Sequence, residues 1–392
     1  MDYLISCIEI LVCVFVFFLL RKFPRFSFVA VLAVAYLVHG NFTALETPPS
    51  SIPGLNQEFM QAAIFAPGKG EHGIAVETIH IPSHKPWEML VKVRGAGLNP
   101  SNFKLNMARL PFFRHTKKGK HVIGYDVEGT VLSVGSHSDC ESFIAQQSIF
   151  GFAGGSIAEY AVVGCSRAGN SPTSLSPVEA AGLPVVALTS LEAWDRTHLK
   201  TGQSVLVIGA SGGCGTFGVS IAKSMGALVT GICSTKNVAT VNKLGADFVV
   251  DYKKKKDMQE LIQKGQQFDI IYDTVTSFAP EDPDYEVDMR PLLKVGGKYV
   301  AINGGRMDWT RGIWEKILFK KYFNMSIQRK DYDLFLLTPT TKNLNRLAAM
   351  IDSGKVPKTI IDTVFVLSET TLNQAFSLIK SRRVVGKIVF KF

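Results

Sequence analysis

At 392 residues and 46% apolar composition, the chain is long enough for two domains and a sizeable buried core. Its net charge of +10 invites an anionic partner, yet the cations are scattered apart from Lys117–Lys120 and Lys253–Lys256. No basic stripe interleaves with aromatics, which argues against nucleic-acid binding and for a solvated face with some attraction to an anionic membrane or cofactor. The six cysteines (Cys7, Cys13, Cys140, Cys165, Cys214, Cys233) form no CxxC pair and no even framework. They read as free thiols of a reducing compartment, and their spacing builds no structural zinc site.

Residues 3–20 form an apolar run just long enough to span a bilayer, with Glu9 as its one ionisable residue and Arg21, Lys22 and Arg25 directly after it. A second run, 26–38, is shorter and reads as interfacial, re-entrant or the return arm of a hairpin. No positive charge precedes the first run, and the two together exceed a signal-peptide core, so a retained membrane anchor is expected rather than a cleaved signal. The basic triplet predicts a cytosolic side for residues 21–25, and a cytosolic catalytic part if the second run does not cross. The triplet Asn41-Phe42-Thr43 is a glycosylation sequon by pattern and matters only if it does. Residues 47–54 (TPPSSIPG) are a linker, so 1–55 reads as anchor and linker.

From Met60 onward the pattern is short strands and turns. Alternation in 88–98 and 127–134 predicts an antiparallel β module resembling a partly open barrel. A helical pattern covers 178–203, with Pro184 as a kink or break. Then comes SVLVIGASGGCGTFGVSIAKSMGA (204–227): an apolar β-branched run, a glycine-rich turn and a helix with small and apolar residues on one face. Strand, glycine turn and helix together are the context of a dinucleotide-binding fingerprint. Gly209, Ser211, Gly212, Gly213, Cys214 and Gly215 form its turn. The glycines let main chain approach a pyrophosphate, and the helix N-terminus offers it unpaired N–H groups.

Strands at 228–233, 248–251, 268–274 and 298–303 alternate with helices at 236–244, near 257–264 and at 289–294, which predicts a doubly wound parallel sheet. Residues 311–323 form an amphipathic helix, packed or serving as a lid. The C-terminus returns to β and completes the first module.

An NAD site places an acid about 20 residues past the glycines to accept from the ribose 2′-OH. Here the second strand ends Cys233-Ser234-Thr235-Lys236, with no acid. Ser234 and Thr235 can donate to a 2′-phosphate and Lys236 can neutralise it, so NADP(H) is the expected cofactor. The same Ser234 and Thr235 could instead cap the following helix.

Taken in order, GLNPSNFK (97–104), GYDVEGTV (124–131), AEYAVV (158–163), AAGLPVVALT (180–189), GASGGCG (209–215), CSTKN (233–237), LGAD (244–247), VGGKYV (295–300) and GKIV (386–389) resemble the medium-chain dehydrogenase/reductase superfamily. The likeness is to its zinc-free quinone oxidoreductase-like branch, with reticulon-interacting mitochondrial members among the nearer relatives. It implies an α/β chain: a GroES-like catalytic domain over 60–185 completed by 325–392, and a Rossmann NADP-binding domain over 186–324. It leaves the first 55 residues unexplained. Where zinc-dependent members carry their ligands, this chain has Asn99, Tyr125 and a residue near Val186, so catalysis by a Lewis-acid zinc is not expected.

What then remains feasible is direct hydride transfer from NADPH to a quinone or a related α,β-unsaturated carbonyl. The acceptor oxygen gathers charge and needs a donor. Candidates are the Asn99 amide, the Tyr125 hydroxyl and Lys104, with Ser101 as a weaker relay. Related enzymes often have Asp at the position of Asn102 and Trp or Tyr at that of Phe103. The resemblance also implies cofactor contacts by Thr189 at the nicotinamide end, Tyr252 at the 2′-phosphate, Asn303 and Gly304 at the nicotinamide amide, and Lys387. The reading is a membrane-anchored, NADPH-dependent, zinc-independent reductase. Its rivals are an enal or enoyl carbon–carbon double-bond reductase and a membrane-associated adaptor that keeps the nucleotide fold. The organelle, endoplasmic reticulum or mitochondrion, and the oligomeric state, a homodimer included, stay open.

Overall fold

The computed structural model describes residues 52, 55–66, 68, 72–104, 121–276, 283–302, 332–334 and 337–392. Both N-terminal apolar runs, the sequon, the 311–323 helix, Asn303 and Gly304 lie outside them. Among the described residues no helix is long and apolar enough to cross a membrane.

Two kinds of sheet make up the chain. In the first half, β1 (Phe59–Phe65), β2 (Ile74–His80) and β4 (His121–Val122) form a small antiparallel sheet ordered β2-β1-β4. Beside it stand β3 (Glu88–Leu98), β5 (Asp126–Val134), β6 (Ser148–Ala153) and β7 (Tyr160–Asn170), each antiparallel to the next. β7 also pairs back on β3, so these strands close on themselves and leave no free edge. The inward residues are apolar and fully buried, among them Met89, Val91, Val127, Val131, Ile149 and Val163.

The parallel sheet is ordered β10-β9-β8-β11-β12-β13, with β8 (Ser204–Ile208), β9 (Leu228–Cys233), β10 (Phe248–Asp251), β11 (Phe268–Asp273), β12 (Leu293–Ala301) and β13 (Tyr332–Leu334). Every neighbouring pair is parallel. The order doubles back at β8, which makes the ends of β8 and β11 a switch-point crevice where doubly wound sheets bind ligands. Helices Pro184–Thr197 and Gly213–Ser224 cover one face. There Trp194 meets the Tyr272 ring edge-on at 5.1 Å, both fully buried.

The chain then returns to the first half. Helix Glu369–Lys380 starts in a reciprocal cap between Ser368 and Thr371. β14 (Ile361–Val366) and β15 (Lys387–Lys391) pair in parallel, and β15 joins β3 antiparallel through Ile388↔Leu98.

One expectation is sharpened and two change. The 178–203 helix is two helices, Pro177–Ala181 and Pro184–Thr197, because Gly182 ends the first and Pro184 takes the opening position of the second. The 289–294 helix is instead a short helix Tyr285–Met289 and a 3-10 turn Arg290–Leu292; β12 already begins at Leu293, since Pro291 cannot continue a helix interior. Last, Cys140 and Cys165 are not free thiols but a disulfide. Cys140 ends a 3-10 turn and Cys165 lies on β7, and closure of the strands brings their Cα atoms to 5.1 Å. A sequence separation of 25 carries no trace of that approach. Cys214 and Cys233 are free.

Candidate active site

The turn after β8 is built of main chain. Gly209 sits at φ +79°, where a side chain would be strained, and a Cβ at Gly215 would lie 2.0 Å from the Gly209 carbonyl oxygen. A Cβ at Gly212 would meet only the Gly209 oxygen, at 3.4 Å, so that face of the turn is open. Gly212 is the cap of helix Gly213–Ser224 and has no side chain to satisfy the first N–H groups. An open cradle with unsatisfied N–H groups at a helix N-terminus fits a diphosphate. Ser211 is buried, its hydroxyl accepting from Asn237 Nδ2 at 2.8 Å and its carbonyl from the Gly386 N–H at 3.1 Å. Burial pushes the Cys214 thiol up to about 12, so this cysteine is an inert part of the turn.

At the far end of β9, Ser234 leads into the 3-10 turn Thr235–Asn237 and makes no side-chain cap. The Tyr252 N–H donates to the Cys233 carbonyl, which seats Tyr252 beside Ser234. Its ring is 41% exposed and has Lys253 Nζ 5.1 Å from its centre. Lys236 is exposed, with Nζ 3.4 Å from the Arg383 carbonyl oxygen. An acid does stand near this corner: Asp251, at the end of β10, held below the usual carboxylate range by the Thr235 hydroxyl. Thr235 is thereby already engaged.

The third group lies where the two kinds of sheet meet. Lys387, only 3% exposed at the start of β15, points its ammonium at three oxygens: Asn99 Oδ1 at 2.6 Å, Asp126 Oδ2 at 2.9 Å and the Leu98 carbonyl at 3.0 Å. Asn99 Nδ2 donates to Asp126 Oδ2 at 3.0 Å, and Asp126 Oδ1 accepts from the Val185 N–H at 2.8 Å. Asn102 closes the turn, its Oδ1 accepting from the Asn99 N–H at 2.7 Å. A Cβ at Gly97 would lie 2.8 Å from Asp126 Oδ2, so only glycine lets β3 run this close. The cluster abuts the glycine turn: a Cβ at Gly213 would touch Val186 at 2.8 Å and the Lys387 stem at 3.4 Å. Ser190 ties helix Pro184–Thr197 to the turn by donating to the Cys214 carbonyl at 2.8 Å, and Thr189 beside it is 7% exposed. Tyr125 precedes Asp126, and burial together with the Asp126 charge raises its phenol far above the usual range, so it stays protonated.

Asn99, Lys387 and the glycine turn are therefore brought together, with Tyr125 and Thr189 next in the chain to Asp126 and Ser190 of the same assembly, while Ser234, Lys236 and Tyr252 stand at the end of β9. Lys104 ends the short helix Ser101–Lys104, and its side chain is outside the described residues. Sequence reasoning missed Asp126, the acceptor that holds Asn99 and Lys387. Its signal was an acid opening the strand directly after Tyr125.

A family profile described as "Zinc-binding dehydrogenase" matches residues 244–390. The chain is 31% identical over 334 residues to a chloroplast envelope quinone oxidoreductase homolog of Arabidopsis thaliana, covering 82% of this chain and 95% of that protein. The chain belongs to the medium-chain dehydrogenase/reductase superfamily. A trans-enoyl reductase, pgmF of Aspergillus terreus, is 30% identical over 319 residues, 78% of this chain and 86% of that protein. In fold, the chain superposes on the quinone oxidoreductase of Coxiella burnetii with a TM-score of 0.69 at 24% identity, over 85% of this chain and 99% of that one. This superfamily member is an oxidoreductase with a nicotinamide cofactor.

The zinc of the family description does not fit this site. Asn99, Tyr125 and Val186 stand where the resemblance puts metal ligands, and Asn99 Oδ1 already holds the Lys387 ammonium, which would repel a second cation. Among the described residues no group of three or more His, Cys, Asp or Glu side chains could hold a metal. The dinucleotide does fit, as the open glycine cradle shows.

Proposed function

We propose that the chain is an NADPH-dependent, zinc-independent reductase of quinones or related α,β-unsaturated carbonyls, anchored to a membrane by residues 1–55. The observation that carries this reading is the contact between the glycine turn and the Asn99–Lys387–Asp126 cluster, which sets a fixed amide donor beside the nicotinamide end of the crevice. When bound, the reduced nicotinamide supplies a hydride to an electron-poor acceptor. Asn99 donates a hydrogen bond to the acceptor oxygen as it gathers charge, and the protonated Tyr125 hydroxyl is the second donor. Thr189 orients the nicotinamide end, and Gly209, Ser211, Gly212, Gly213, Cys214 and Gly215 hold the diphosphate.

The preference for NADP(H) rests on Lys236, Ser234 and the Tyr252–Lys253 pair at the ribose corner. Asp251 lies behind this corner, 2% exposed, with its Oδ1 accepting from the Lys253 N–H. The GroES-like domain spans 60–185 and is completed by the C-terminal segment; the boundary expected at 324/325 moves C-terminal, because Tyr332–Leu334 is still a strand of the parallel sheet and Leu344 and Leu347 pack in its core. A second reading, reduction of an enal or enoyl double bond, is favoured by the likeness to the Aspergillus terreus enzyme, and uses the same groups with a different pocket wall.

One assay separates these. Carbonate-washed membranes carrying the full chain are given NADPH and, in turn, a short quinone, a cyclic enone and an enoyl thioester. Quinone or enone turnover in the membrane fraction is expected. Turnover of the thioester alone selects the second reading, and activity confined to the soluble fraction contradicts the anchor.

A further inference from the structure

The Lys387 ammonium has three N–H donors and three acceptors, all within 3.0 Å, so it has no proton left for a substrate. Its neighbour Asn99 is in a different position. A lysine can only donate and a carboxylate can only accept, so Lys387 on one side and Asp126 on the other fix which end of the Asn99 amide is oxygen and which is nitrogen. The Asn99 oxygen is taken by Lys387 and one Nδ2–H by Asp126, and one Nδ2–H remains. Asn99 is 1% exposed, and that hydrogen has no acceptor among the described residues.

We propose that Lys387 and Asp126 are positioning residues that act through Asn99. They lock its amide so that the remaining N–H is the donor for the acceptor oxygen, and the cation on its oxygen polarises that N–H into a stronger donor. Hydrogen bonds in a low-dielectric interior reinforce one another in this way, and a donor fixed beforehand costs no reorganisation when charge develops. A buried ammonium thus does indirectly, through an amide, what a metal ion does directly in zinc-dependent dehydrogenases. Four separate segments converge to build the arrangement: the end of β3, the start of β5, the start of β15 and the first turn of helix Pro184–Thr197. As hydride adds to the β-carbon of an enone, the carbon–carbon π pair shifts to form the bond between the α-carbon and the carbonyl carbon, and the carbonyl π pair moves onto the oxygen. The enolate so formed accepts from Asn99 until a solvent proton reaches its α-carbon. The inference rests on the reductase reading, and its test has one arm that needs no turnover.

In the first arm, kcat with NADPH and 2-cyclohexenone is measured for wild type, Asn99→Ala, Lys387→Gln, Asp126→Asn and the Asn99→Ala/Lys387→Gln double variant, each checked for folding by thermal melt. Asn99→Ala should lower kcat by roughly 10²-fold, the loss typical of removing one oxyanion donor. Lys387→Gln and Asp126→Asn should lower it about tenfold, and Lys387→Arg less. The double variant should be no slower than Asn99→Ala, because Lys387 has nothing to act on once the amide is gone. In the second arm, the carbonyl stretch of cyclohexanone, bound beside NADP+, is read by infrared difference spectroscopy. It should shift to lower wavenumber in wild type, less in Lys387→Gln and least in Asn99→Ala, where Tyr125 alone is left to donate. Additive losses in the double variant, or a shift unchanged by Lys387→Gln, overturn the inference and leave the reductase reading standing. A wild-type shift that both Asn99→Ala and Lys387→Gln reduce, in a protein that turns over no acceptor, overturns the reductase reading and keeps the positioning role. No wild-type shift and no turnover overturn both.

Discussion

In the proposed NADPH reading, Lys236 is the residue on which cofactor choice turns. It is exposed at the ribose corner with its ammonium only loosely engaged, 3.4 Å from a carbonyl, and can swing to a phosphate at little cost. A charge-assisted hydrogen bond contributes about 1.5–3 kcal/mol. Lys236→Glu should therefore raise the NADPH dissociation constant roughly ten- to a hundredfold and leave that for NADH nearly unchanged, by fluorescence titration; equal weakening of both would remove Lys236 from the ribose corner. The lysine could be read in the sequence, because it follows the second parallel strand where an acid would otherwise stand. The place of Lys387 could not. Its sequence neighbours say only that it opens a strand, and what its ammonium meets is set by β3 and β5, which lie nearly three hundred residues away in the chain. Asn99 was legible as a candidate donor in the GLNPSNFK segment, but Asp126 was hidden for the same reason as the partners of Lys387: a buried polar trio looks like three unrelated residues until the strands converge.

At the scale of elements, periodicity carried most of the fold. Alternation marked β3 and β5, and the apolar run into glycines marked β8 and helix Gly213–Ser224. Its failures have local physical causes. Met289, Leu292 and Leu293 suit a helix as well as a strand, and Pro291 with Gly296 at φ +80° decides against the helix. The Cys140–Cys165 bond could not be seen at all, since it depends on β7 passing the 3-10 turn after β5. That bond clamps β7 in the closed ring of strands, and its loop of separation 25 corresponds to a chain-entropy gain of about 3 kcal/mol. Replacing both residues, Cys140→Ala with Cys165→Ala, should lower the denaturation midpoint by a corresponding amount in a guanidinium melt. An unchanged midpoint would mean that the bond does not form in the folded protein.

Across the whole molecule, the two kinds of sheet are joined where chemistry is expected. The C-terminal segment leaves the parallel sheet, crosses the glycine turn through the Gly386–Ser211 bond and inserts Lys387 under Asn99 before continuing as β15. Helix Pro184–Thr197 makes the reverse connection, with Val185 bound to Asp126 and Ser190 bound to the turn. The glycine cradle and the Asn99 amide thus share their supports. A fixed amide beside a buried ammonium suits the proposed hydride transfer that needs no metal. The most direct measurement supplies protein dialysed against chelator with NADPH deuterated at C4 and with 2-cyclohexenone. Deuterium on the β-carbon of the saturated ketone, formed at the undialysed rate, is the predicted result. Loss of the rate on dialysis with recovery on adding zinc, or a product without that deuterium, would contradict it.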